Sequence, residues 1–590
     1  MSAPAVKRRS SAPRWQTVRD GAVTHLHDTA PIGWRGLTPR AVLADGPEDY
    51  AFCRVRLRTR MSGSGLMAQC EITNTGTEPL SVRMIRWVSD ISALYPPPTL
   101  RFPKSLEPSY FSTENFRGDY FATTTTRGEH FFKPLPHETV LIGCSEDAVF
   151  PGLFIGSGTE PVGLFCAAAS RDCFHTVFRL YGGDGVETWN FEIEELPSGQ
   201  AHLIVAPGAT IRGERIFFDA VPTADPQQAT GLYYAALRAD GVFDRLRDNP
   251  LAKSRIWCSW NFGYYAKIDE TEVLKQLPIL RAHFPMVTFV QVDDGYQDVY
   301  PSGQHRQIDL LYGSETGYNP KSFPHGPRDL VQKIKAAGLR PATWIGFWCS
   351  GSSPMLRDHP DWVLLDDMGR PFTYRSSFAG GGDGMDLRVL DPSVPAVRAY
   401  VEHLCATVFG VWGFEGVKLD FFTFAFQSRR VRYRYPGKTA PFYQRWLVDT
   451  FRKHLPKDGF LGLCSVAGTG TPFFGEGADY FRNGEDISEG EWALAKRIAL
   501  WTVNTNMLLQ QHPVLVNVDS IGWGPKFGET EWHSFLNLCA VTGGALEVSG
   551  DLTRVSDHRK ARLSRTLALS DPRRSVRCLD LPMGRIVQPP

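Results

Sequence analysis

A multidomain chain, with an N-terminal all-β sandwich followed by a (β/α)8 TIM barrel, is the fold this sequence predicts. Three observations predict it. The chain has 590 residues, more than a single hydrophobic core organises. Residues 20 to about 220 alternate apolar and polar side chains with period two and are broken by turn residues. From about residue 226 the texture changes to short apolar runs separated by longer helical stretches.

The first half reads as strands and turns. "CRVRLRTRMS" alternates apolar and basic residues, and "CEITNTGTEPLSVRMIRWVSD" reads as strand, Asn-Thr-Gly turn, strand. "LFCAAASRD", "TVFRLYGGDG" and "ETWNFEIEEL" continue the pattern. Many short strands with turn signals and no helical period imply a sandwich. We place it over 1–225. A helical linker follows over 226–249, within the helix-like stretch "DPQQATGLYYAALRADGVFDRL" that starts at Asp225.

The barrel is expected over 250–570, with a short tail over 571–590. Its candidate strands are 254–262, 286–294, 340–348, 416–421, 460–465, 480–487, 513–519 and 544–549. Several are near-continuously apolar, as strands buried on both faces should be. Stretches such as "ETEVLKQLPILRAHF" and "PRDLVQKIKAAG" supply helices between them. Eight such units suggest a (β/α)8 barrel.

Composition excludes several functions. Apolar residues are 42% and charged residues 22%, as in a soluble globular protein. The net charge of +1 argues against nucleic acid or anionic membrane as a partner. The N-terminus "MSAPAVKRRSSAPRW" lacks the apolar region of a secretory signal, and no apolar run is long enough to span a membrane. The 11 cysteines are scattered without a CxxC pair and HExxH is absent. They read as reduced thiols in a cytoplasmic protein without a zinc site.

In a (β/α)8 barrel, catalytic groups sit at the C-terminal ends of strands. The second candidate strand ends in Asp293 and Asp294, the fourth in Lys418 and Asp420, and the seventh in Asp519. The sixth carries Arg482, Glu485 and Asp486. A single strand-end Asp is usually a turn or helix-cap residue. Four strand ends with acids ask for another explanation. Residues i and i+2 of a strand share a face, so Lys418 and Asp420 point together, while Val417, Leu419 and Phe421 point to the helices. A lysine beside it favours an ionised aspartate, and an ionised carboxylate on a rigid strand is what a nucleophile requires. A structural ion pair is the plainer alternative. Arg482, Gly484 and Asp486 likewise alternate onto one face, and a plain Arg482–Asp486 pair is again the alternative. Glu485 has the opposite parity.

These residues resemble the α-galactosidase clan of glycoside hydrolases, in particular family 36, whose members carry a β-sandwich before the barrel. "DDG", "KLD", "LCS", "RNGEDI" and "GGALEVSGDL" fall in that family's order, and "NPKSFPHG" and "LDPSVPAVRAYV" resemble its barrel segments. The likeness covers about 250–570 by motif and 20–240 by architecture alone. It implies an exo-acting hydrolase that releases a terminal α-linked galactose or a related sugar with retention. Asp420 matches the nucleophile and Asp486 the acid/base. Asp293 and Asp294 match the pair that binds the galactose O4 and O6. Lys418 matches a group near O3 and O4. Arg482, with Cys464 and Ser465, matches the side facing O2. Trp344 and Trp260 match aromatic residues lining the sugar, although either alone would more often be core. The mechanism also implies that nearby negative charge raises Asp486. No metal or organic cofactor is implied. The partner is an oligosaccharide or glycoside substrate, with homo-oligomerisation left open.

The departures widen the choice of sugar. The family's C-terminal β-domain is largely absent, since only "DPRRSVRCLDLPMGRIVQPP" follows the last expected barrel helix. "LCSVAGTGTPFFGEG" is not the usual glycine-rich loop, and "WIGFWCSG" lacks the usual Pro-Glu pair. An α-N-acetylgalactosaminidase, another α-glycosidase of the clan, or a raffinose- or stachyose-synthase-like transglycosylase shares the machinery. A non-catalytic sugar-binding protein would be expected to lack one of the two catalytic carboxylates. "QSRRVRYRYPGK", residues 427–438, is either an aglycone contact or a solvated basic loop.

Overall fold

The computed structural model describes residues 248–571, apart from 377–384, 422–430, 465–476, 483–485, 488–491, 497–513 and five single positions. It also describes 226–242, 51–88, 37–44, and strand segments and turns between 14 and 221.

The N-terminal part is a sandwich of two antiparallel sheets. One runs in the order Cys53–Ser62, Gly65–Asn74, Thr210–Val221, Gly163–Ala168, Phe150–Ser157, Pro108–Thr113. The other is built on His175–Gly185, Thr188–Leu196 and Leu80–Val88. Ile72, Cys166 and Phe218 of the first sheet share one apolar core with Trp87, Phe178 and Ile193 of the second. The alternation of "CRVRLRTRMS" is realised: Arg54, Arg56, Arg58 and Arg60 are exposed while Val55 and Leu57 pack inward. The Asn-Thr-Gly turn forms around Asn74, whose side chain accepts from Gly76 N (2.9 Å) and donates to the Glu78 carbonyl (2.6 Å).

Helix α1 (Pro226–Ala239) follows the sandwich. Its Tyr233 ring packs on Phe165 and Phe217 of the six-stranded sheet, at 5.6 and 5.7 Å between centroids. The same apolar cluster continues into the barrel helices.

All eight expected barrel strands form, and they close: β1 (Arg255–Cys258), β2 (Val287–Val292), β3 (Arg340–Gly346), β4 (Gly416–Asp420), β5 (Phe460–Leu463), β6 (Tyr480–Arg482), β7 (Leu515–Ile521) and β8 (Ala545–Ser549). Every neighbouring pair is parallel. Helices α2 (Glu270–His283), α3 (Gly326–Ala336), α4 (Pro395–Cys405), α5 (Ala440–His454), α6 (Glu529–Thr542) and α7 (Asp557–Leu569) are among those that cover the strands. Asp269 caps α2 by accepting from Glu272 N at 2.8 Å.

The inner face of the barrel changes character along the strands. Near their N-terminal ends, Ile256, Phe289, Ala342, Phe460, Tyr480 and Ala545 form an apolar plug. Two residues further along the same faces stand Cys258, Gln291, Trp344, Gly462, Arg482 and Glu547. The period of two that buries the plug therefore delivers polar groups to the mouth.

Two strand ends differ from expectation. Strand β6 is described over Tyr480–Arg482, and Asp486 and Ile487, expected within it, are not strand. Strand β7 continues past Asp519 to Ile521. Phe421 does not point to the helices. Its φ of 58° turns it back, and its ring meets those of Trp344 (6.5 Å) and Trp348 (6.2 Å).

Part of the basic loop is neither solvated nor free. Val431–Arg432 pairs with Leu365–Asp366, and Tyr433 is buried with its N–H on the Gly199 carbonyl (3.0 Å). That contact ties a sandwich turn to the segment leading into α5. Residues 422–430 lie outside the described residues. Among the described residues no helix is long and apolar enough to cross a membrane.

Candidate active site

The candidate residues gather at the C-terminal mouth in two linked groups. The first joins β2 and β4. Lys418 and Asp293 are both buried, and Lys418 Nζ lies 3.0 Å from Asp293 Oδ2. The same oxygen accepts from Gln291 Nε2 (2.9 Å) and the Cys258 thiol (3.3 Å), while Oδ1 accepts from Asp294 N (3.0 Å). Burial pushes the Asp293 carboxyl up, against the opposing pull of Lys418. Burial also pushes Lys418 down, but Asp293 together with the Cys464 and Cys258 groups outweighs it and its pKa is raised. A buried pair of this kind is tolerable only with such additional donors. Asp294 turns toward solvent and meets His305 Nδ1 (3.4 Å) and Gln307 Nε2 (3.3 Å). Its carboxylate raises the His305 pKa.

The expected partnership of Lys418 with Asp420 is thus corrected. Lys418 makes its ion pair inward and across to β2. Neighbours two apart along one strand are about 6.6 Å from each other, so a long side chain can find a nearer partner across the barrel interior. Asp420 is held by other groups. Its Oδ2 accepts from Trp344 Nε1 (3.2 Å) and its Oδ1 from Phe421 N (2.8 Å).

The second group joins β1, β6 and β7. Arg482 is buried, and its Nη1 lies 2.5 Å from Asp486 Oδ1 and 3.3 Å from Asp519 Oδ1. Trp260 Nε1 donates to Asp486 Oδ2 (3.0 Å). The Asp486 side chain remains 27% exposed. The expected rise in its pKa is contradicted. Burial pushes this carboxyl up, but Arg482 and then Lys418 outweigh burial, and it lies below the ordinary carboxylate range. The Arg482–Asp486 ion pair allowed by their spacing is therefore present.

The two groups meet. Arg482 feels the charges of Asp486, Asp519 and Asp420 together. At the end of β5 the Cys464 thiol is buried, and the charges of Arg482, Asp420, Lys418 and Asp486 all act on it. Ser465 and Glu485 lie outside the described residues.

Sequence reasoning noted Asp519 at a strand end but did not place it in the site. It also missed Asn261, His305, Gln307 and Glu547. Glu547 could have been found, since it is an acid inside the apolar strand "ALEVS". It is fully buried, bonded by Asn517 Nδ2 (3.2 Å), and burial pushes its pKa to about 7. A separate cluster of Glu270, His325 and Asp329 sits at the N-termini of α2 and α3. Lys333 bridges Glu270 (2.7 Å) and Asp329 (2.6 Å), so this cluster carries its own cation.

A closed parallel barrel, preceded by a two-sheet sandwich and carrying acids at its mouth, has the fold of the family 36 α-galactosidases. No protein-family model matches the chain. Among solved structures, the Thermus thermophilus α-galactosidase in complex with p-nitrophenyl α-D-galactopyranoside superposes with a TM-score of 0.54. It is 19% identical over 87% of this chain and 94% of that one. A family 36 α-galactosidase from Geobacillus stearothermophilus, in complex with stachyose, gives a TM-score of 0.61 at 12% identity, over 96% of this chain and 76% of that one. The Lactobacillus brevis α-galactosidase gives 0.58 at 12% identity, over 96% and 69%.

Proposed function

We propose that the chain is a retaining exo-glycoside hydrolase that removes a terminal α-linked galactose, or a closely related sugar, by double displacement. Asp420 attacks the anomeric carbon while Asp486 gives its proton to the leaving oxygen. A glycosyl ester on Asp420 and a free aglycone result. Asp486, now a carboxylate, takes a proton from water as that water attacks the same carbon; the ester bond breaks, Asp420 regains its carboxylate, and the sugar leaves with its α-configuration kept. Such a mechanism needs the two carboxyl groups about 5–5.5 Å apart. Asp293, Asp294 and Lys418 would hold the sugar's hydroxyls on one side and Arg482 and Cys464 on the other. Trp260 and Trp344 would orient the two acids.

One observation carries this reading. Two acids from the ends of different strands are each held by a tryptophan N–H, and the charges of both act on Arg482. A structural barrel has no need of that convergence, and a sugar-binding protein has no need of both acids. The ion pair on Asp486 gives the free protein its carboxylate form, which is the form that activates water. The acid form must then be made when the glycoside enters and water is expelled, since desolvation favours the neutral acid.

The test is hydrolysis of an aryl α-galactoside beside Asp420→Ala and Asp486→Ala. Both variants are expected to lose at least about a hundredfold in rate. Azide should rescue Asp420→Gly. Full activity in either alanine variant would reject the assigned roles.

A further inference from the structure

Asp519 takes no part in the reaction as written, yet its carboxylate ties three segments together. It is buried, with 1% of its surface exposed. Its Oδ2 accepts from Asn261 Nδ2 of the loop after β1 (2.8 Å) and from the Ile487 N–H, one residue past Asp486 (2.6 Å). Its Oδ1 lies 3.3 Å from Arg482 Nη1, the same nitrogen that Asp486 holds at 2.5 Å. Its own N–H is fixed on Asn517 Oδ1 (2.8 Å), and its φ of 80° is a left-handed conformation that a non-glycine residue keeps only when its surroundings demand it.

We propose that Asp519 is a positioning residue for the acid/base: it pins the segment that carries Asp486 and takes a share of the Arg482 guanidinium, so that Asp486 is free to accept a proton. The proposal rests on the reading of Asp486 given above. Two carboxylates on one cation compete for it, and each raises the proton affinity of the other. The charged and titratable groups acting on this pair and its cation are Arg482 of β6, Lys418 and Asp420 of β4, Glu547 of β8 and Cys464 of β5. The loop after β1 presents the neutral Asn261 and Trp260 to the pair. Without the Asp519 charge, Asp486 is the one acid left in direct contact with Arg482 among the described residues, and the protonated form of Asp486 becomes scarcer.

The experiment compares wild type, Asp486→Ala, Asp519→Asn and Asp519→Glu on aryl α-galactosides of graded leaving ability, with pH profiles and thermal melts. Asp519→Asn is expected to lose about tenfold or more in kcat on poor leaving groups and little on activated ones, since only the former need the acid. The alkaline limb of its kcat profile should move to lower pH, and Asp519→Glu should restore it. A loss independent of the leaving group, with the limb in place, overturns the proposal. If Asp519→Asn does not fold, Asn261→Ala unties one oxygen and keeps the charge. A leaving-group dependence is expected there without a limb shift, and its absence overturns the proposal too. If Asp486→Ala itself shows no leaving-group dependence, the acid/base reading fails and this proposal falls with it. If Asp486→Ala shows the dependence and the Asp519 variants do not, only this proposal fails.

Discussion

Replacing Lys418 by methionine isolates the charge that the barrel interior hides. The two partners lie 3.0 Å apart with side chains 4% and 3% exposed, so solvent cannot take over when one is removed. Methionine roughly keeps the volume, which keeps the packing loss small. Asp293 would retain the Gln291, Cys258 and Asp294 donors but lose its cation. Breaking a buried pair from one side costs about 3–5 kcal/mol. At ~2–4 °C per kcal/mol, Lys418→Met should lower the melting temperature by on the order of 10 °C. The sign with pH follows from Asp293. Its pKa in the folded protein already lies above the ordinary value, and losing Lys418 raises it further. A group with a raised folded pKa contributes stability below its unfolded pKa and loses it as pH rises through the folded one. The deficit of Lys418→Met against wild type should therefore be smallest near pH 4 and grow toward pH 8. Urea unfolding at both pH values measures it. Lys418→Met/Asp293→Asn, which removes both charges, should recover much of the loss. A deficit under about 1 kcal/mol, where exposed pairs fall, or a double variant no more stable than the single one, would refute the reasoning.

Other outcomes follow from the same geometry. Asp486 titrates below its ordinary range in the free protein and must be protonated to act as the acid. Binding a neutral galactose-type inhibitor near pH 6 should therefore take up as much as one proton, seen calorimetrically as a dependence on buffer ionisation enthalpy. Zero uptake would show that Asp486 stays a carboxylate. Trp260→Phe removes the N–H on Asp486. A hydrogen bond to a charged group is worth about 1.5–3 kcal/mol, so kcat/KM should fall by roughly tenfold to a hundredfold, and an unchanged value would reject a role for that bond. At the sandwich turn, Gly199 has φ of 78°, and a Cβ there would lie 2.0 Å from the Tyr433 ring. Gly208 has φ of 74° with open space around it. Both Gly→Ala changes carry the left-handed penalty of about 1–2 kcal/mol. Gly199→Ala should lower the melting temperature clearly more than Gly208→Ala, and equal effects would deny the contact with Tyr433.

The barrel was legible because its strands are buried on both faces and so announce themselves as apolar runs whatever their neighbours. The period of two within a strand correctly aimed Lys418, Asp420 and Arg482 inward. It could not choose partners, because it says nothing about distances between strands. Lys418 therefore reaches Asp293 from β4 to β2, two places round the barrel. The state of Asp486 was misjudged for a related reason. Counting negative charges near it gave too little weight to Arg482, which pairs with it from the end of β6. Asn261, His305 and Gln307 stand on loops and carry no periodic signal. Asp519 sits within β7, where its turn to φ of 80° interrupts the register with β8. A single strand-end acid could not reveal that it would bond three segments at once.

The most direct test of the account is to trap the sugar on the protein. A 5-fluoro-α-galactosyl fluoride slows the second displacement and lets the ester accumulate, after which digestion and mass spectrometry locate it. The account expects one glycosyl group per chain, attached to Asp420 and missing from Asp420→Ala. A label on any other carboxylate, or turnover of α-galactosides with no label at all, would contradict it.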